Sequence, residues 1–308
     1  MFLVAVGEMS VTIAYLGPPG TFTHEAAQQL FSESSLVFKD YSSIPDVLSA
    51  AEQEESFFAV VPVENAIEGA VHSTWDWLVH HVHLPIRGEL AYPIVHNLLV
   101  HPKNAGRDWR FFTEVWSHPQ ALAQCRLFLR ETLPHATWRQ AESTARAAEM
   151  VKSHPDLPRL AIGTKNAAKR NGLVVLKQAI HDYANNFTRF VVAGKRQWMW
   201  RQAPCGWKTS LQVTLPSDYP GALYQVLAAF SWRKINLCHI ESRPTKTGLG
   251  NYYFLIDAEL PADHVLMRGA IEEVGALGCT VRVLGSYPCF RVETVGPDLR
   301  EETTFRKE

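Results

Sequence analysis

The strongest constraint on this chain is an alternation that runs from Val11 to about Ala193. Short β-rich runs and helix-patterned segments follow one another there. Val11–Leu16 reads as a strand and ends in the turn Gly17-Pro18-Pro19-Gly20. Thr23 can cap a helix that carries Ala26, Ala27, Leu30 and Phe31 on one side. Leu36–Tyr41 is the next strand, and Ser43 with Asp46 opens the next helix. Phe57–Val63 is a continuous apolar run, as expected of a strand buried on both faces. The pattern recurs with strand Ile94–Val100, helices at Pro119–Leu133 and Thr144–Lys152, and strands Leu160–Gly163, Val174–Leu176 and Phe187–Ala193. Such a text predicts α/β layers with mainly parallel strands. The stretch Leu84–Val100, poor in helix signals, is the expected crossover into a second lobe, with a return near residues 165–175.

From Lys208 the pattern changes. Strand Thr209–Leu215, a helix from Pro220 to Lys234, strands Ile235–Ser242 and Tyr252–Leu260, helix Asp263–Leu277 and strand Cys279–Leu284 give the order β-α-β-β-α-β. That is a ferredoxin-like arrangement. Between the two regions, Gly194–Trp207 carries Trp198, Trp200 and Trp207 and reads as a linker that packs, because exposed indoles would be costly. The expected division is 10–193, linker 194–207, 208–288 and a polar tail 289–308.

Composition removes whole classes. The 308 residues hold 30 Lys+Arg against 31 Asp+Glu, a net charge of −1, so there is no basic field for nucleic acid or for an anionic membrane. No run approaches the ~18 apolar residues of a membrane span. Phe2–Val6 is too short for a signal sequence, and Met9 is a credible start, so a cytoplasmic protein is expected. Cys125, Cys205, Cys238, Cys279 and Cys289 are odd in number and widely spaced, which fits reduced thiols.

Most catalytic signatures are missing. Gly17–Thr23 is glycine-rich after a strand but has no Lys, so it is not a P-loop, although it can present donors to an anion. His80, His81 and His83 read as a solvated helix end and not as a metal site. No motif supports a cofactor or a metal. What remains are polar clusters at the expected C-terminal ends of strands, where open α/β sheets bind ligands. They are Glu64-Asn65, Ser73-Thr74, His118-Pro119-Gln120, Ser143-Thr144 and Asn186-Phe187-Thr188-Arg189-Phe190. Ser and Thr at such places commonly cap helices. Thr188-Arg189 sits inside a strand-like run, where a cap role is unavailable, and a guanidinium there suits a carboxylate.

Taken in order, these motifs resemble a known family. Gly17-Pro-Pro-Gly-Thr-Phe, Val61-Pro-Val-Glu-Asn65, Glu68-Gly69, His118-Pro-Gln120, Ser143-Thr-Ala145 and Thr188-Arg-Phe190 look like the prephenate dehydratase catalytic domain. Gly221-Ala-Leu223, Ile235-Asn-Leu237, Glu241-Ser-Arg-Pro244 and Leu284-Gly-Ser-Tyr-Pro288 look like its C-terminal ACT domain. The chain departs from the family pattern at Ala66 and Ala70, where hydroxyl residues are common, and at Tyr224, where Val is usual.

The resemblance implies a two-lobed catalytic domain like a periplasmic binding protein, with the active site between lobes, followed by a regulatory ACT domain. It implies decarboxylating dehydration of prephenate with no cofactor. Thr188 is the first choice to meet the departing hydroxyl, with Glu64 or His118 as the acid if the environment permits. Arg189 would hold a substrate carboxylate or the local fold. Asn65, Gln120, Ser143, Thr144 and the Gly20–Thr21 backbone would supply neutral donors beside Phe190. For the effector L-Phe, the helix start Gly221-Ala222-Leu223 would receive the carboxylate and Asn236 the amino group, next to Leu237. Glu241-Ser242-Arg243-Pro244 would couple that site to the catalytic domain. Such sites usually lie between two ACT domains, so a homodimer or tetramer is expected. The alternatives are arogenate dehydratase and a non-catalytic amino-acid sensor.

Overall fold

The computed structural model describes residues 11–217, 219–245 and 252–293. A start at Met9, the helix-opening Asp218 and the tail from residue 294 lie outside the described residues. The first lobe contains β1 (Thr12–Leu16), α1 (Phe22–Leu30), β2 (Val37–Tyr41), α2 (Ile44–Glu52), β3 (Phe58–Asn65), the short β4 (Gly69–Ala70), α3 (His72–His80) and β5 (Ile86–Pro93). Thr21 and Ser43 accept the amides of His24 and Asp46 and so start α1 and α2. Helix α3 ends at His80, and His81 closes it.

Residues 94–96 cross into the second lobe. Its elements are β6 (Asn97–Val100), β7 (Glu114–Ser117), α4 (Pro119–Gln124), α5 (Arg126–Thr132), β8 (Thr137–Gln140), α6 (Thr144–Ser153), β9 (Arg159–Gly163), α7 (Lys165–Asn171) and β10 (Val174–Lys177). They form a five-stranded sheet in the order β10-β6-β9-β7-β8. Then β11 (Phe187–Ala193) returns to the first lobe between β5 and β3. The return therefore lies at residues 178–186 and not at 165–175, because β10 still pairs with β6. Parallel pairs within the lobes are β1 with β2 and β3 and β7 with β8 and β9, and β5 is paired in parallel with β15 of the C-terminal unit. Strands next to the crossovers pair antiparallel, since each enters its sheet against the winding direction.

The C-terminal unit is β12 (Gly206–Thr214), α8 (Ala222–Ser231), β13 (Leu237–Pro244), β14 (Tyr252–Ala258), α9 (Val265–Ala276) and β15 (Thr280–Arg291). Its strand order β13-β14-β12-β15 is the ferredoxin-like one. Val226, Phe230, Met267 and Val274 of the two helices fill the core against Leu211, Val213 and Ile256. The sheet does not stop there. β15 pairs with β12 from Thr280 to Cys289 and, on its other side, runs parallel beside β5 at Gly285 and Cys289–Arg291, which fuses the unit to the first lobe in one ten-stranded sheet. The polar tail expected from 289 thus begins later, because Cys289 and Phe290 are buried strand residues. Within the linker, Trp198 and Trp200 pack against Phe31, and Trp200 also meets Phe290. Trp200 Nε1 donates to the Arg87 carbonyl at 3.2 Å. Gly88 leaves the space for it, since a Cβ there would lie 2.5 Å from the indole.

Candidate active site

A cavity of about 650 Å³ opens between the lobes. Residues from the starts of α1 (Thr21, Phe22, Thr23), α2 (Ile44), α3 (Val71) and α6 (Ser143, Thr144) line it. Several helices thus turn their positive ends and their first, unbonded amides toward one space. This is the rule for the parallel strands of α/β sheets, which deliver their C-terminal ends to one edge; the antiparallel β11 brings its beginning, Phe187-Thr188, to the same edge. No Lys or Arg is among the lining residues; the charged ones are Glu68 and Glu142. The field that favours an anion here comes from the backbone.

Thr188 lies on the cavity wall and is 8% exposed. Asn65 Nδ2 donates to its Oγ1 at 2.9 Å and to Asn186 Oδ1 at 2.9 Å. Asn65 Oδ1 in turn accepts the amides of Ile67 and Glu68, which fixes the amide orientation. Because Thr188 Oγ1 already accepts a hydrogen bond, its own proton is left to point at whatever occupies the cavity. The chain continues inward. Asn186 Nδ2 donates to Gln124 Oε1 at 2.9 Å, and His96 Nε2 lies 3.0 Å from the same oxygen. An amide oxygen carries no proton, so His96 must be the donor and its Nε2–H tautomer is set. Burial, foremost, lowers the His96 pKa to about 4, with the Gln124 contact opposing, so the ring is neutral at pH 7.

His118, Gln120, Ser143, Thr144, Phe190 and Thr21 also line the cavity, although the Thr21 amide, expected as a donor, is spent on the Pro18 carbonyl at 3.3 Å. The surroundings of His118 disfavour the charged imidazole that an acid role would need. Its Nδ1 accepts the Gln120 amide at 3.3 Å and caps α4, and burial lowers its pKa against the opposing charge of Glu68. A neutral Nε2–H donor remains. Ser143 accepts the Arg146 amide at 3.0 Å and caps α6, which leaves its hydroxyl proton free to be donated.

Three expected site residues are elsewhere. The Gly20 amide donates to His24 Nδ1 at 3.1 Å and its carbonyl accepts from Thr164, so its role is to let the turn close at φ +95°. Arg189 and Glu64 face away from the cavity, because alternation along a strand sends neighbours to opposite sides. Arg189 binds Glu64, Glu89 and Asp257, each at 2.6 Å. Burial works against the guanidinium charge there, but Glu89 and Asp257 outweigh it and hold the pKa above its usual value. Of the two roles open to Arg189, holding the local fold is the one its geometry permits. Residues that received no role from the sequence are His96, Gln124 and Glu142. Asn186 was visible as a strand-end polar residue, but nothing local revealed its partners.

The prephenate dehydratase family model matches residues 13–197. The chain belongs to the prephenate dehydratase family. Prephenate dehydratase from Bacillus subtilis (strain 168) is 44% identical over 285 residues, covering 91% of this chain and 99% of that one. The structure of prephenate dehydratase in complex with L-Phe from Arthrobacter aurescens superposes with a TM-score of 0.80 at 34% identity, covering 90% of each chain. That of Staphylococcus aureus subsp. aureus Mu50 gives 0.77 at 28% identity, over 90% of this chain and all of the other. The similarity to these family members spans the lobes and the βαββαβ unit alike.

The expected effector residues fall into three groups. Gly221, Ala222 and Leu223 line a cavity of about 450 Å³ with Tyr224 and Phe254. Asn236 and Leu237 are not on its wall; Asn236 Nδ2 donates to Glu259 at 2.7 Å at the far end of β14. Glu241 and Arg243 point from β13 to α3, where they meet His72 at 3.0 Å and Asp76 at 2.6 Å. Ser242 and Pro244 lie on the exposed side of the same strand.

Proposed function

We propose that this chain converts prephenate to phenylpyruvate, with loss of CO2 and of the ring hydroxyl, and that its βαββαβ unit is an ACT domain regulated by L-Phe. The observation that carries the first part is the bond from Asn65 Nδ2 to Thr188 Oγ1. It directs the Thr188 proton into the cavity, where it can be donated to the departing hydroxyl. The C–C bond to the carboxylate breaks as CO2 forms, its electron pair enters the ring, and the C–O bond breaks with hydroxide leaving. The threonine O–H stabilises that developing charge by hydrogen bonding; net proton transfer from so weak an acid is not needed, since solvent neutralises hydroxide. Helix starts and neutral donors suit the ring carboxylate, because a close cation would stabilise it against decarboxylation. Closing the two lobes on the substrate would exclude water during the step, and reopening admits the solvent that neutralises hydroxide.

Phenylpyruvate formation from prephenate, followed by absorbance, tests this reading. Arogenate belongs in a parallel arm. It carries an ammonium in the side chain, and the charged residues of the cavity wall are Glu68 and Glu142. Turnover of prephenate is expected; a purified, folded protein that turns over neither compound refutes the assignment.

L-Phe regulation is supported by the apolar cavity at Gly221–Leu223 and by the L-Phe complex of the Arthrobacter aurescens relative. The site in one copy lacks the second half of the expected contacts. A dimer or tetramer supplies them, and β13 is a free sheet edge beside the exposed Ile240 and Tyr252. Micromolar to millimolar L-Phe should inhibit and give binding heat; neither effect at millimolar L-Phe overturns this part. A cytoplasmic location fits the reduced cysteines, and no helix among the described residues is long and apolar enough to cross a membrane.

A further inference from the structure

Directly behind Thr188, on the opposite face of β11, five charged side chains meet in the seam between the first lobe and the C-terminal unit. Arg189 is the centre. One of its terminal nitrogens bonds Glu64 Oε2, and the other bonds both Glu89 Oε2 and Asp257 Oδ2, all at 2.6 Å. Lys208 Nζ bonds the second oxygen of Glu89 at 2.6 Å. The second oxygen of Asp257 accepts from Ser210 Oγ at 2.5 Å, which lies 2.7 Å from the Tyr287 hydroxyl. Glu89 and Asp257 are 3% and 1% exposed. His239 Nδ1 stands 3.9 Å from Glu64 and completes the surroundings on the β13 side.

The origins of these groups matter. Arg189, Glu64 and Glu89 sit on β11, β3 and β5 of the catalytic lobe. Asp257, Lys208, Ser210 and Tyr287 sit on β14, β12 and β15 of the C-terminal unit. Arg189 adjoins Thr188 in the chain, and the β11–β3 register shifts between Arg189 and Phe190, so the strand is irregular at this point. The ladder to β5 stays regular from Phe187 to Val192, so the irregularity is confined to the β3 side, and a bulge of this kind re-aims the side chains beside it. A buried guanidinium is also intolerant of losing one partner, since the remaining charges cannot be solvated.

We infer that Asp257 is a positioning residue for the dehydration: through Arg189 it fixes the face that β11 presents to the cleft, and it transmits the state of the C-terminal unit to Thr188. The inference rests on the dehydratase reading and deepens it by naming the regulatory contact. The effector then acts by moving β14 and β12 relative to β11, loosening or tightening one guanidinium, without touching the substrate cavity.

Asp257→Asn tests this, since the amide keeps the shape and can still accept from Arg189 while the charge is removed. The expected result is a kcat lowered by about threefold to thirtyfold at nearly unchanged KM, the range of coupling-residue effects. The L-Phe concentration for half-inhibition should rise about tenfold while calorimetric L-Phe binding persists. A residue that only stabilised the fold would lower Tm without separating binding from inhibition. If Asp257→Asn fails to fold, Ser210→Ala, which removes one hydroxyl from Asp257, is expected to shift kcat and inhibition in the same directions and decides the matter. Wild-type kcat and wild-type inhibition in the folded variant overturn the inference. Wild-type enzyme assayed alongside separates the two claims: its inactivity refutes the dehydratase reading, whereas an active wild type with an unaffected variant refutes only the coupling.

Discussion

Asn65 Nδ2 holds the Thr188 hydroxyl at 2.9 Å, and the function proposed for the pair makes a measurable statement. Thr188→Ala is expected to lower kcat by about tenfold or more with KM little changed, the loss typical of a positioned proton donor. Asn65→Ala should also lower kcat, because the hydroxyl is then free to rotate. In the Thr188→Ala background the Asn65 change should cost little more, since the group it orients is gone. Additive losses in steady-state kinetics would show that the two residues act separately. His96 yields a different prediction. Its folded pKa of about 4 lies below the ordinary 6.5, so the unfolded chain binds the proton more readily. Stability is therefore whole above pH 6.5, falls as the pH drops from 6.5 toward 4, and is lower by about 3 kcal/mol below that. Urea denaturation from pH 7.5 to 4 should show this loss in the wild type, and His96→Gln should remove most of it. A wild type and variant with parallel acid limbs would contradict the assignment.

Among the elements, β11 shows best what could be read in advance. Phe187–Ala193 is legible as a strand from its β-branched and aromatic content, and Thr188 stands out as a hydroxyl within it. The same alternation places Arg189 on the other face, yet three contiguous motif residues read naturally as one site. The ion cluster that claims Arg189 is assembled from positions 64, 89, 208 and 257, and no local pattern announces partners at those separations. His96 and Gln124 escape notice for the same reason. The helix caps at Ser43 and Ser143 were readable because a cap and its amide are three residues apart. Strand β5 was hidden inside the expected crossover because its outward Arg87 and inward Glu89 break the apolar run. Where β15 first meets β5, still paired with β12 on its other side, Gly285 lies against the Ile86 backbone. A Cβ there would be 2.5 Å from the Ile86 carbonyl oxygen and 2.8 Å from its nitrogen. Neither atom can move without parting the strands, so Gly285→Ala is expected to destabilise by about 1–3 kcal/mol, as overpacking does. Equilibrium urea melts check this, and an unchanged midpoint would show that the joint is compliant.

At the scale of the molecule, the cleft lies between two sheets joined by two short connections, residues 94–96 and 178–186. That is the geometry of a hinge, with few residues to absorb a rotation. Catalysis that must exclude water calls for closure around the substrate. Saturating phenylpyruvate, a product that reaches the same wall, should reduce the radius of gyration in small-angle scattering. It should also slow proteolysis near residues 178–186. Unchanged scattering and cleavage would mean a cleft already closed. L-Phe arriving at the C-terminal unit is expected to shift the same distribution, since a small displacement of β14 and β12 reaches β11 through the sheet they share.

That shared sheet also bears on how the protein comes to be made. Leu90 pairs with Phe290, 200 positions later in the chain. A nascent chain that has just released the first lobe holds β5 with one side unmatched until nearly all the protein has left the ribosome. An open strand edge invites pairing with a neighbouring chain. Slowing or stalling synthesis after β12 should therefore expose the polypeptide to chaperones and to aggregation, although the lobe that carries the catalytic groups is already complete. The last strand joins the C-terminal unit to the first lobe, and it is also the point at which the chain commits to its fold.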